Sequence, residues 1–111
     1  MVSLESKKTS GETKATRERI ENARTVQRNR FTVTKTLTTN ADMRAKDIEK
    51  FANLSDKAEA TLVEAARRMK LSPRGYHRTI KLARTIADLV GDESIESSHM
   101  LEALQYRLRE F

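Results

Sequence analysis

The sequence predicts an all-α fold, a small bundle of about four to five helices with a flexible N-terminus and linker. Three observations predict it. Apolar residues recur with a helical period through most of the chain, and strand-like alternation is nearly absent. Serine, proline and glycine fall where helices start and stop.

Residues 1–10, rich in polar and basic side chains, read as a disordered lead-in. Over residues 11–31, GETKATRERIENARTVQRNRF sets Thr16, Ile20, Ala23, Gln27 and Phe31 on one thin face, and Thr9 with Glu12 can form a capping box. That face is narrow, so this helix is weakly anchored. Residues 32–40 are threonine-heavy without a clear apolar face and read as an extended, mobile linker. The remaining helices occupy 41–109. RAKDIEKFA offers Ile48 and Phe51, with Asn40 or Asp42 as its cap. Ser55 caps a helix whose stripe is Ala58, Leu62, Ala65 and Met69. Ser72 followed by Pro73 is a strong helix start, and Gly91 is a suitable stop just after Val90. A last helix, SSHMLEALQYRLREF, runs its stripe through Leu101, Leu104 and Leu108.

The 111 residues suffice for one domain with a modest core; hydrophobic content is 37% and charged content 34%. The sequence has no cysteine, which excludes a disulfide framework and a cysteine nucleophile. The opening MVSLESKK has no apolar stretch, so neither a secretory signal nor a membrane span is expected and a cytoplasmic location is the default. The net charge of +6 points to an anionic partner.

The stretch LSPRGYHR, residues 71–78, concentrates that charge. On a helical wheel Tyr76, Thr79, Ile80, Leu82, Ala83, Ile86, Ala87, Leu89 and Val90 form a wide apolar arc, the mark of the central helix. Arg74, His77, Arg78, Lys81, Arg84, Thr85 and Asp88 fill the remainder, and Asp88 can relieve only Arg84 directly. Like charges three or four apart disfavour a helix, and a helix N-terminus disfavours cations. A solvated charged face accounts for the cluster but not for its place at the helix start. A phosphate or carboxylate bound near Arg74 cancels both penalties.

Other chemistry has less support. His77 reads as a polar surface residue and His99 as a partly packed one, and no metal site is indicated. Met43, Met69 and Met100 read as core fillers. The three glycines build no phosphate-cradling loop, and neither a nucleophile elbow nor paired carboxylates are present, so no catalytic residue is assigned.

SGETKATRERIENARTVQRNRF, TTNADM, LSPRGYHRTIKLARTIADLVGDESI and SSHMLEALQYR together resemble the C-terminal region of magnesium-chelatase-related AAA+ ATPases, most closely the bacterial competence type. The resemblance covers about Ser10 to Arg107 and is most specific from Leu71 onward. It implies the helical lid that follows an ATP-binding core, with residues 11–31 joining core to lid. It places the sensor-2 motif on Ser72, Pro73 and Arg74, with Arg74 reaching the γ-phosphate of ATP. ATP and Mg2+ are then cofactors of a longer parent, and none is expected bound to this piece. The implied partners are the upstream core and neighbouring subunits of a hexameric ring. The implied role is DNA branch migration in recombination, with the Walker motifs and arginine finger upstream. Alanine is frequent in this branch where Pro73 stands here, and proline fits a first helical turn. The linker is longer and richer in threonine than the resemblance leads one to expect.

Two other readings compete. One is a stand-alone basic module gripping DNA phosphates through Arg17, Arg19, Arg24, Arg28 and Arg30 together with His77, Arg78, Lys81 and Arg84. The other is a histone-fold-like dimer.

Overall fold

The computed structural model describes the backbone of residues 2–34 and 36–109, with side chains described for 13–34 and 36–106. Its order is α1 (Val2–Arg30), a 3₁₀ turn (Asn40–Asp42), α2 (Ala45–Phe51), α3 (Asp56–Met69), α4 (Pro73–Val90) and α5 (Ser97–Arg109). Among the described residues no strand forms; Leu54 and Ile95 share a single parallel bridge. The all-α bundle is therefore as the periodicity predicts.

The starts of α3 and α4 follow from their capping serines. Ser55 Oγ accepts from Ala58 N at 3.1 Å, and Ser72 Oγ accepts from Gly75 N at 3.0 Å. Pro73 lacks the N–H that a first-turn residue cannot use within its own helix. Gly91 ends α4 with φ 81°, a left-handed conformation that suits glycine. Replacing Ser72 with alanine orphans the Gly75 N–H and is expected to cost about 1 kcal/mol, read as a lowered urea midpoint.

α4 is the central helix, packed against α5, α1, α2 and the 3₁₀ turn, while α3 packs on α5. The core joins Ala58 and Leu62 of α3, Ile80, Ala83, Ile86 and Ala87 of α4, and Met100, Ala103 and Leu104 of α5. Met43 and Met100 are buried and Met69 packs at the core edge, as core fillers do. Asn53 closes the gap between α2 and α3 in a left-handed conformation, φ 54°. Its Nδ2 donates to Glu93 O at 2.9 Å, and Ile95 N donates back to Asn53 O at 2.9 Å.

Several expectations need correction. α1 spans Val2–Arg30, so its backbone starts ahead of residue 11; the side chains of Thr9 and Glu12 lie outside the described ones. Of the predicted α1 face, only Ala23 and Phe31 are buried. The ring of Phe31 meets that of Phe51 edge-on, with centroids 5.2 Å apart. The threonine-rich linker is no free tether. Leu37 and Asn40 are buried, Thr34 Oγ1 accepts from Leu37 N, and Asn40 N donates to Gln27 Oε1 at 2.8 Å.

Neither Asn40 nor Asp42 caps α2. The N-cap position is Arg44, whose backbone N donates to Oδ2 of Asp47 in the first turn at 2.9 Å. Asp42 instead accepts from Thr38 N and Thr39 N, both at 3.0 Å. In α5 the buried side is His99, Met100, Ala103 and Leu104, while Leu101 is 53% exposed; the Leu108 side chain lies outside the described ones. Val90, the last residue of α4, is also exposed.

The Thr39 and then the Thr38 backbone N–H hold the Asp42 carboxyl below its ordinary 3.8. A lowered folded-state pKa contributes stability above the unfolded value, and that contribution is lost as pH falls through the folded value. The Thr38 and Thr39 amide resonances are therefore expected to move together in acid titration, with an apparent midpoint below 3.8. A midpoint at or above that value contradicts the two bonds.

Candidate basic groove at the start of α4

The N-terminal two-thirds of α4, from Arg74 to Thr85, and the turn ahead of α2 line an open groove of about 700 Å³. Ala41, Met43, Arg44 and Ala45 form one wall; Arg74, His77, Arg78, Lys81, Leu82 and Thr85 form the other. Four of these are full cations, and among the described lining residues there is no Asp or Glu. Arg44, Arg74 and Arg78 are exposed, and their guanidinium groups have no hydrogen bond or ion pair among the described residues. Lys81 Nζ donates to Ala41 O at 3.2 Å, which ties the two walls together. His77 is half-buried beside Tyr76, the two rings edge-on at 5.9 Å.

Arg74, His77, Arg78 and Lys81 are thus brought together as the sequence suggests. Ser72 sits just outside, its Oγ committed to Gly75 N. Arg17, Arg24 and Arg28 lie exposed along α1 and line no part of this groove. Arg24 approaches Glu21 at 3.8 Å, and Arg28 donates to Thr25 Oγ1 at 3.1 Å.

Arg84 is the clear correction. It is 1% exposed, and its whole guanidinium is used inside the domain. Nε donates to Asp88 Oδ1 at 3.0 Å, Nη1 to the Ala52 and Glu93 carbonyls, and Nη2 to the Asp92 carbonyl at 2.7 Å. No donor is left for DNA or another anion. Burial draws the Arg84 pKa down, and the neighbouring Asp88 charge opposes that. Asp88 relieves Arg30 as well as Arg84, because Arg30 makes a two-pronged bond to it at 2.6 and 2.8 Å. Asn40 completes the cluster, donating to Asp88 Oδ2 and Thr85 Oγ1 and accepting from Arg30. An amphipathic wheel sorts residues by polarity alone and so places this pair in solvent.

His99 is buried and shapes the start of α5. Its Nδ1 accepts from Glu96 N at 2.9 Å and its Nε2 lies 2.8 Å from Asp92 Oδ2, a pairing that assigns the Nε2–H tautomer. Among the described residues no group of three or more His, Cys, Asp or Glu comes together as a metal site, and no helix is long and apolar enough to cross a membrane.

Arg44 is the groove residue that sequence reasoning missed. It belongs to another element, and only the packing of the 41–45 segment across α4 brings it there.

Residues 10–107 match the family described as magnesium chelatase, subunit ChlI C-terminal. The chain is 46% identical over 68 residues to the competence protein ComM of Haemophilus influenzae. It is 34% identical over 68 residues to the uncharacterized protein YifB of Salmonella typhimurium. Each alignment takes in 61% of this chain and 13% of the relative, so the chain corresponds to a small part of either protein's length. No solved structure matches it significantly. With the family match running over nearly its whole length, the chain belongs to the magnesium chelatase ChlI C-terminal family.

Proposed function

We propose that this domain is the C-terminal helical lid of a longer, ComM-like AAA+ ATPase, with Arg74 as the lid's contact to the terminal phosphate of ATP held by the upstream core. The observation that carries the reading is an exposed arginine without a partner, on the first turn of α4, facing a groove without acids. Phosphate suits such a site because helix N–H groups and a guanidinium both favour it. The lining residues fit the phosphate end of a nucleotide. They include one ring, His77, and four cations.

ATP supplies the bond whose cleavage drives the ring; Arg74 holds charge on the departing phosphate oxygens, and Ser72 fixes the helix turn that carries Arg74. Mg2+ in this reading is held by the core, since the groove offers it no carboxylate. Movement of the lid relative to the core, transmitted through α1, couples hydrolysis to a hexameric ring engaged in DNA branch migration. ATP turnover by the full-length protein carrying Arg74→Ala tests the reading.

DNA binding by the isolated domain is the second reading, favoured by the exposed Arg17, Arg24 and Arg28 on α1 and by Arg78 and Lys81 in the groove. It predicts that log affinity for duplex DNA falls steeply with log salt, with a slope set by the number of phosphates neutralised. The lid reading predicts only weak binding at low salt and a shallow slope.

A further inference from the structure

The groove carries more cationic charge than a single terminal phosphate balances. A phosphate group holds about two negative charges near neutral pH, against four cations on the walls. Arg74 and Lys81 lie seven residues apart on α4, about 10 Å along the axis, longer than one phosphate group. Arg74 with Arg78 and Arg78 with Lys81 are like charges four and three residues apart on one helix face, and no acid in the groove relieves them.

Arg44 is distinctive because it stands on the opposite wall. Its segment is held by Asp42, which fixes the turn at Thr38 and Thr39, by the buried Met43, and by the Lys81 bond to Ala41. The backbone is thus fastened on both sides of Arg44 while its guanidinium has no partner among the described residues.

We infer that the groove is a two-walled polyphosphate site in which Arg44 and Arg74 bind one phosphate chain between them, with Arg78 and Lys81 balancing its charge. This rests on the lid reading for the identity of Arg74 and adds a second arginine to the same site. The recognised chemistry is a run of linked phosphates, since the lining residues provide one ring and no aromatic platform for a base.

The test is a titration of the 111-residue chain with tripolyphosphate at low salt, followed by amide NMR shifts, with orthophosphate as comparator. Tripolyphosphate is expected to bind at least about tenfold more tightly than orthophosphate. Arg44→Ala and Arg74→Ala are each expected to weaken it about five- to tenfold, as loss of one charge-assisted contact does. Arg24→Ala removes the same charge outside the groove and is expected to change affinity by less than about twofold. All three side chains are exposed, so the variants should keep the wild-type circular dichroism spectrum. The proposal is overturned if wild type does not bind tripolyphosphate, if it binds orthophosphate equally well, or if Arg24→Ala weakens binding as much as Arg44→Ala. If Arg44→Ala binds like wild type while Arg74→Ala does not, the second wall is wrong and the lid reading stands. If Arg74→Ala changes neither tripolyphosphate binding nor ATP turnover by the full-length protein, the lid reading itself fails.

Discussion

Asp88→Ala is expected to lower the stability of the domain by about 3–5 kcal/mol, measured as a shift in urea unfolding. The carboxylate is fully buried and is the counter-charge of two guanidinium groups, Arg84 and Arg30, whose side chains are 1% and 12% exposed. Truncating it leaves Arg84 charged in the core, held only by carbonyl oxygens, and removes one of the two acceptors of the Asn40 amide nitrogen, leaving Thr85 Oγ1. Leaving a buried charge uncompensated is among the most damaging single changes a small domain can suffer. Total stabilities are roughly 5–15 kcal/mol, so such a loss brings the domain near its unfolding threshold. Asp88→Asn keeps the shape and removes the charge, and it should recover little. Arg30→Ala is expected to be milder, because Asp88 keeps its bonds to Arg84 and Asn40. A loss below about 1 kcal/mol for Asp88→Ala would mean that water replaces the carboxylate and that the cluster does not fasten α1 to α4.

Arg74→Ala should have the opposite profile, with the fold intact and the activity gone. Its guanidinium makes no bond among the described residues and sits among like charges, so removing it should shift stability by no more than about 0.5 kcal/mol. On the lid reading, the same change in the full-length protein is expected to reduce ATP turnover on the order of 10²-fold or more, the scale seen when one preorganised charge aimed at developing negative charge is removed. Affinity for ATP should fall much less than turnover, because the reading leaves most nucleotide contacts to the core.

What the sequence discloses here, and what it hides, divides along physical lines. Helix starts and stops are local events, so Ser55 announces the start of α3, and Ser72, Pro73 and Gly91 both ends of α4, to the residue. The stripe of α3 and the arc of α4 come from the same 3.6 period that packs them. The α5 stripe shifts because His99 and Met100 turn inward, His99 satisfied by Glu96 N and Asp92. Buried charge defeats the period altogether. Arg84 and Asp88 look like solvent residues until Arg30 and Asn40, 58 and 48 positions from Asp88, are brought beside them. The same holds for the groove: one wall, Arg74 to Lys81, is contiguous on a helix and legible, while Arg44 joins through tertiary packing alone. An i,i+4 Arg–Asp pair on the central helix was the available signal for the buried cluster. For Arg44 no local signal existed.

The most direct test of the central claim is steady-state ATP turnover by the full-length protein with Arg74→Ala, beside wild type and an Arg24→Ala control. The lid reading predicts that turnover falls on the order of 10²-fold or more in Arg74→Ala and stays near wild type in Arg24→Ala, with equal urea midpoints for all three. Turnover in Arg74→Ala equal to wild type would contradict it.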